Sequence, residues 1–343
     1  MIPARMRAVV LRGHGGPEQL EVRDDVPVPS VGAGDVLIEV AAAGVNQTDV
    51  NTRVGWYAGG GWTGSFEFPR IQGIDACGRV VAVGADVDPS RVGERVVVEP
   101  CWTDGSGRTV FLGSEVDGAF ADYVVVPSTA AHTIVSDCTD VELAALPCSW
   151  STAENLLTRA AVRAGERVLV TGASGGVGSS AVQLAAARGA HVIAVASPSK
   201  HEAVRSIGAA EVIDRAAVPA EVCGADSVDA VIDVVGGDRW PELLDVLRPR
   251  GRYAVSGAIA GAVVALDLRT LYLKDLVLHG CTVLDPGVFA ALVRRVERGE
   301  VRPVVAATFP LERIVDAQER FAAKDHVGKI VLTVRRTNEP GSR

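Results

Sequence analysis

Lysine is scarce in this chain. Only four of its 34 basic residues are lysine (Lys200, Lys274, Lys324 and Lys329), and 42 acidic residues bring the net charge to −8. A nucleic-acid partner calls for a basic domain or stripe, and the sequence has neither. Long apolar runs are also missing: none reaches the ~18 residues that a membrane-spanning helix needs. The first fifteen residues carry arginines but no apolar stretch followed by a small-residue cleavage site, so no secretory signal is expected. The six cysteines (77, 101, 138, 148, 223 and 281) lie far apart and form no C-x-x-C pair, which argues against a disulfide framework in a chain of 343 residues. The resulting expectation is a reduced, cytoplasmic protein acting on a small molecule, with no nucleic-acid or membrane partner.

What is present is ordinary globular material, 48% hydrophobic and 22% charged. At about 100–200 residues per domain, two domains are expected. The pattern changes near residue 150. Before it come short β-branched runs split by Gly and Pro: Met6–Leu11, Val36–Ala41, Gly78–Val83, Arg95–Val98 and Tyr123–Val126. These predict an irregular, mainly β region. Within it, Gly55–Phe68 places Gly59, Gly60, Gly61 and Gly64 among Trp56, Tyr57 and Trp62, an aromatic loop. After residue 149, strands and helices alternate. Arg167–Thr171, His191–Ala196, Val228–Val234 and Arg252–Ser256 read as strands; Val177–Arg188, Lys200–Ile207 and Arg239–Leu247 read as helices. Such alternation implies α/β architecture, a doubly wound parallel sheet with helices on both faces. Leu276–Val283 is a further β-type run. Phe289–Arg298 and Ile314–Ala323 have helical period, and Lys329–Val334 is a last strand.

The string Thr171-Gly172-Ala173-Ser174-Gly175-Gly176-Val177-Gly178 follows a strand and opens a helix. Glycines allow the tight turn and close approach to a pyrophosphate, and the helix N-terminus offers unpaired N–H groups to phosphate oxygens. Gly172, Ser174, Gly175, Gly176, Val177 and Gly178 are therefore candidate dinucleotide contacts. At the end of the next strand, an Asp or Glu would bind a ribose 2′-hydroxyl. Here stand Ser197, Pro198, Ser199 and Lys200. A cation and two hydroxyls suit a 2′-phosphate, which points to NADPH; the other reading of Lys200 is a solvated helix start.

With these strings in view, the chain resembles the medium-chain dehydrogenase/reductase superfamily over nearly its whole length, and within it the zinc-independent quinone oxidoreductase and enoyl reductase branch. The matching stretches are Ala42–Asp49, Gly73–Val81, Asp117–Val124, the glycine turn, Asp233–Gly237 and Gly328–Leu332. The resemblance implies a GroES-like, mainly β catalytic domain (1–148 and 286–343) and a Rossmann domain (149–285), with the active site in the cleft between them. It adds Thr152, Ser256 and Lys329 to the cofactor-binding residues, and implies a homodimer formed through the edge strand near Leu276–Val283.

Zinc-dependent members carry a Cys in the first motif, a His-Glu pair in the second and a Cys or Asp before the Rossmann domain. This chain has Asn46, then Ile74-Asp75, then Cys148. Catalytic zinc needs three protein ligands, and only Cys148 stands at a matching ligand position; its other reading is a small buried side chain. The stretch corresponding to the structural zinc lobe, Glu99–Gly118, has only Cys101. No metal is expected.

Without a Lewis acid, hydride addition to a C=C bond conjugated to a carbonyl, or to a quinone, is easier to arrange than ketone reduction, because hydrogen-bond donors can hold an enolate oxygen. Tyr57 resembles the enoyl-reductase tyrosine near the substrate, and either donates to the enolate or only lines the cleft. Asn46 either positions the nicotinamide end or fixes a turn. Two other functions stay open: an alcohol dehydrogenase or carbonyl reductase of the same superfamily, and a non-catalytic NADPH-binding protein.

Overall fold

The computed structural model describes residues 1–59 and 66–335. Gly60, Gly61, Trp62 and Gly64 of the aromatic loop, and the tail from Thr337, lie outside the described residues. The described chain forms two compact units. One comprises residues 1–148, 305–324 and 329 onward; the other comprises 149–304 and 325–328.

The first unit is mainly β. Its largest sheet runs Ala131–Thr133, Arg95–Val98, Cys77–Val83, Asp35–Val45, Lys329–Thr333 and Val305–Pro310, with Tyr123–Pro127 also paired to Asp35–Val45. The eleven-residue strand Asp35–Val45 is the spine of this sheet. Its β-branched side chains Val36, Ile38 and Val40 pack with Val80, Val96, Val124, Phe120 and Ile330 into one core. Two positions on this frame matter for the site. Asn46 directly follows the spine strand and caps the helix Gln47–Arg53. Lys329 opens its strand, and the antiparallel register Ile330↔Val45 brings it beside Asn46.

The second unit holds a six-stranded, wholly parallel sheet in the order Glu211–Asp214, His191–Ala196, Arg167–Val170, Val228–Asp233, Leu247–Val255, Val277–Gly280. This is the doubly wound order, which reverses between Arg167–Val170 and Val228–Asp233. The central strands are buried almost throughout, as a sheet covered on both faces requires.

Three expectations need revision. The return to the first unit comes at residue 305, not 286. The helix Val288–Glu297 remains with the second unit, where Arg295 lies 3.6 Å from the buried Glu154 carboxylate. The edge strand is shorter than Leu276–Val283, spanning Val277–Gly280. Glu211–Asp214 is an additional strand; with only two apolar residues between two acids, it shows no run to read. Among the described residues, no helix is long and apolar enough to cross a membrane.

Candidate active site

In the second unit the glycine turn connects Arg167–Val170 to the helix Gly176–Ala187. Gly172 adopts φ +56°, a left-handed conformation that favours glycine. A Cβ on Gly178 would lie 2.1 Å from the Gly172 carbonyl oxygen, so only glycine lets the helix start so close to the turn. Gly175 is the helix N-cap and has no side chain to occupy the first N–H groups, leaving them to an anion. The cradle fits a dinucleotide pyrophosphate at the sheet's switch point. Ser256 follows the neighbouring strand, its N–H donating to the Asp233 carbonyl at 3.2 Å. Thr152 is half-buried in the helix Pro147–Arg159.

Lys200 Nζ lies 3.3 Å from Ser174 Oγ, so the lysine after the second strand meets the serine of the glycine turn. Burial lowers the pKa of Lys200, Asp325 raises it and the like charge of Arg215 lowers it again. Ser197 is half-buried and Ser199 exposed in the same turn. Arg215 was not legible as a site residue, since it follows the strand that the sequence hid.

The carboxylate of Asp233 organises the turn from behind. It is fully buried and accepts from the Thr171 hydroxyl, from Tyr253 Oη at 2.6 Å, and from the N–H groups of Val235 at 2.9 Å and Gly236 at 3.1 Å. Four donors offset the cost of burying the charge. Thr171 in turn accepts from the Val234 N–H at 3.1 Å, tying the glycine turn to the Val234–Gly237 loop.

In the first unit, four buried polar side chains meet: Asn46, Asp49, Asp75 and Lys329 are between 0% and 5% exposed. Lys329 Nζ lies 2.9 Å from Asp75 Oδ2 and also donates to Asn46 Oδ1. Asn46 Nδ2 donates to Asp75 Oδ2 at 2.9 Å and to the Gly44 carbonyl at 3.3 Å. Asp75 Oδ1 accepts from the Cys148 N–H at 2.6 Å. Gly44 makes room for this: a Cβ there would sit 2.3 Å from Asp75 Oδ2. Asp49, the third residue of the helix Gln47–Arg53, completes the cap at Asn46 by accepting from the Asn46 N–H at 2.8 Å. Burial, helped by the charge of Asp75, pushes Asp49 up to about 7 against the pull of the Asn46 N–H and Lys329. Burial likewise raises the Cys148 thiol.

Lys329, expected among the cofactor-binding residues, has its ammonium bonded to Asp75 and Asn46. Asn46, read either as a positioning group at the nicotinamide end or as a turn-fixing residue, gives its Nδ2 to Asp75 and to the Gly44 carbonyl. Tyr57 is half-buried on the loop after the helix; its hydroxyl donates to Thr48 Oγ1 at 3.2 Å, and its ring meets Trp56 edge-on at 5.2 Å. Burial raises its pKa, so the phenol stays protonated at neutral pH.

Residues 32–136 match the family described as alcohol dehydrogenase GroES-like domain, and residues 176–298 the family described as zinc-binding dehydrogenase. The acryloyl-coenzyme A reductase of Metallosphaera sedula is 31% identical over 96% of this chain and 100% of its own length. This chain belongs to the medium-chain dehydrogenase/reductase superfamily. Human quinone oxidoreductase is 29% identical, covering 95% of this chain and 97% of its own. The crystal structure of a putative alcohol dehydrogenase from Sinorhizobium meliloti is 46% identical with a TM-score of 0.92, covering 97% of each chain. As a medium-chain dehydrogenase/reductase, the chain is an oxidoreductase of a family that binds a nicotinamide cofactor. The zinc in one family's description does not fit these residues. Among the described residues no three His, Cys, Asp or Glu side chains group as metal ligands. The Asn46–Asp75 oxygens are instead bonded to an ammonium.

Proposed function

We propose that this chain is an NADPH-dependent reductase that adds hydride to a carbonyl-activated C=C bond or to a quinone, without zinc. The observation that carries the reading is the Asp75–Lys329 pair, whose partners are bonded to each other in place of a metal. Without a Lewis acid, reduction of an unactivated ketone is harder, because the developing alkoxide needs another stabiliser. An enone spreads its developing charge onto an enolate oxygen, which hydroxyl donors can hold. Tyr57 and Thr48 provide such a pair: with the phenol proton directed to Thr48 Oγ1, the threonine hydroxyl proton is available to a substrate oxygen. When bound, the reduced nicotinamide supplies the hydride; the protein orients the substrate, holds the oxygen and delivers a proton to the α-carbon from Tyr57 or water. Preference for NADPH is supported by Lys200, which meets Ser174 of the glycine turn, by the positive charge of Arg215 acting on it, and by the lack of an Asp or Glu in the turn Ser197–Lys200; Asp325 also acts on Lys200 and would compete with a 2′-phosphate for it. The acryloyl-coenzyme A reductase and quinone oxidoreductase relatives are consistent with this substrate class.

The proposal extends to a homodimer through the edge strand Val277–Gly280. Val277, Leu278, Leu273, Tyr272 and Val283 are exposed around it, between 37% and 71%. An apolar sheet edge of this kind invites pairing with a second copy.

The deciding experiment is oxidation of NADPH with a panel of quinones, enones, enoyl thioesters and aldehydes, with and without a chelator. Chelator-insensitive turnover of quinones or enones is expected. Turnover of simple aldehydes and alcohols alone, abolished by chelator, overturns the reading in favour of an alcohol dehydrogenase, and NADPH binding without turnover favours a non-catalytic role.

A further inference from the structure

The polar cluster of the first unit has the form of a cation-binding group whose cation is a side chain. Asp75 Oδ2 and Asn46 Oδ1 converge on one point, and that point is Lys329 Nζ. The Cys148 thiol is near enough to feel the charges of both Asp75 and Lys329.

We propose that Lys329 is the resident cation of this cluster and the residue that closes it to divalent metal. Three observations carry this. First, the exclusion is steric. A metal bound to Asp75 Oδ2 and Asn46 Oδ1 must stand about 2.0–2.2 Å from each oxygen. The ammonium already bonds both, at 2.9 Å from Asp75, and leaves no room for a second cation. Second, the ammonium has nowhere to go. The lysine is 4% exposed and Asp75 0%, so withdrawing the cation leaves an uncompensated carboxylate in the interior. Third, the sheet holds the lysine in place. The register Ile330↔Val45 sets Lys329 beside Asn46, and Gly44, one residue earlier on the same strand, gives Asp75 the space to reach both. Metal exclusion is therefore built into the backbone pairing, and not left to a weak ligand set alone.

The inference deepens the metal-free part of the proposed function but concerns a different quantity, metal affinity, which needs no substrate. The probe is cobalt(II), measured by equilibrium dialysis and by the thiolate-to-cobalt absorption that contact with Cys148 produces. The wild-type chain takes up no stoichiometric cobalt. Lys329→Ala, which removes the ammonium and opens its volume, binds cobalt with the thiolate band. Lys329→Ala/Asp75→Asn loses that binding again. Cys148→His keeps Lys329 while improving the ligand set, and still binds no cobalt; this arm holds even where Lys329→Ala does not fold. Stoichiometric cobalt in the wild type or in Cys148→His overturns the proposal, as does a folded Lys329→Ala that binds none. Turnover of enones by a wild-type chain that binds cobalt would reject the role of Lys329 and leave the reductase reading standing.

Discussion

Replacing Asp49 by asparagine should gain stability relative to wild type as pH rises. The carboxyl is buried, receives the Asn46 N–H at 2.8 Å, and lies close enough to Asp75 to feel its charge. Burial raises it from 3.8 to about 7. The unfolded chain therefore loses this proton at lower pH than the folded chain does. Between the two values the folded state binds more protons, so stability falls as pH rises. The loss begins as pH passes 3.8 and is complete above about 7. Each pH unit inside that window is worth about 1.4 kcal/mol, so the step from pH 5 to pH 8 costs about 2–3 kcal/mol. Asparagine has nearly the shape of the neutral acid and its Oδ1 still accepts from the Asn46 N–H, but its Nδ2 cannot accept from the Ile74 N–H, a cost that does not vary with pH. Carboxylates elsewhere have lowered values, Glu166 beside Arg252 among them, and give the opposite slope in both proteins. The quantity to measure is therefore the difference between variant and wild type. Guanidinium unfolding at pH 5, 6, 7 and 8 gives it directly. Asp49→Asn should gain about 2–3 kcal/mol on wild type across that range, most of it below pH 7. A difference that stays flat with pH would show that Asp49 is already ionised at pH 5, and would refute the raised value that burial gives this carboxyl.

Three further outcomes test the site. Lys200→Ala removes a charge-assisted contact worth about 1.5–3 kcal/mol, so NADPH affinity measured by fluorescence titration should fall roughly 10- to 150-fold with NADH unchanged; equal losses would remove Lys200 from the 2′-phosphate. Tyr57→Phe deletes the hydroxyl that faces Thr48 and keeps the ring, so kcat on an activated alkene should fall by about 10²-fold or more with NADPH affinity unchanged, whereas near-normal kcat on every substrate would make Tyr57 a wall residue. Leu278→Arg on the exposed edge strand should convert a dimer to a monomer in sedimentation or light scattering, and a wild-type chain that is already monomeric at micromolar concentration rejects the proposed interface.

The division of the chain near residue 148, the parallel sheet and the glycine turn could all be read in advance, because each rests on local chemistry. Strands such as Val228–Asp233 announce themselves by continuous burial-prone residues. The turn at Gly172–Gly178 shows itself by glycines that a close backbone approach demands. Asn46 standing where a metal-binding cysteine would be found was likewise visible, since it depends on the identity of one residue. The edge strand Glu211–Asp214 escaped notice because an outer strand with one paired neighbour does not need an apolar run. With it went Arg215, whose place near Lys200 depends on the order of strands and not on any spacing along the chain.

Which polar groups would be spent on each other belonged to tertiary structure alone. Lys329 lies 254 residues from Asp75 and 283 from Asn46, so no period or motif links them. Only the pairing of the strand Lys329–Thr333 against the end of Asp35–Val45 makes them neighbours. The same holds for Asp233, fully buried beneath the glycine turn, and for Asp49, whose proton depends on the burial that neighbouring elements impose. Sequence determines which residues can carry charge and where the backbone can turn. Folding decides which of those charges meet, because the energy of a buried charge is set by whatever the rest of the chain packs against it.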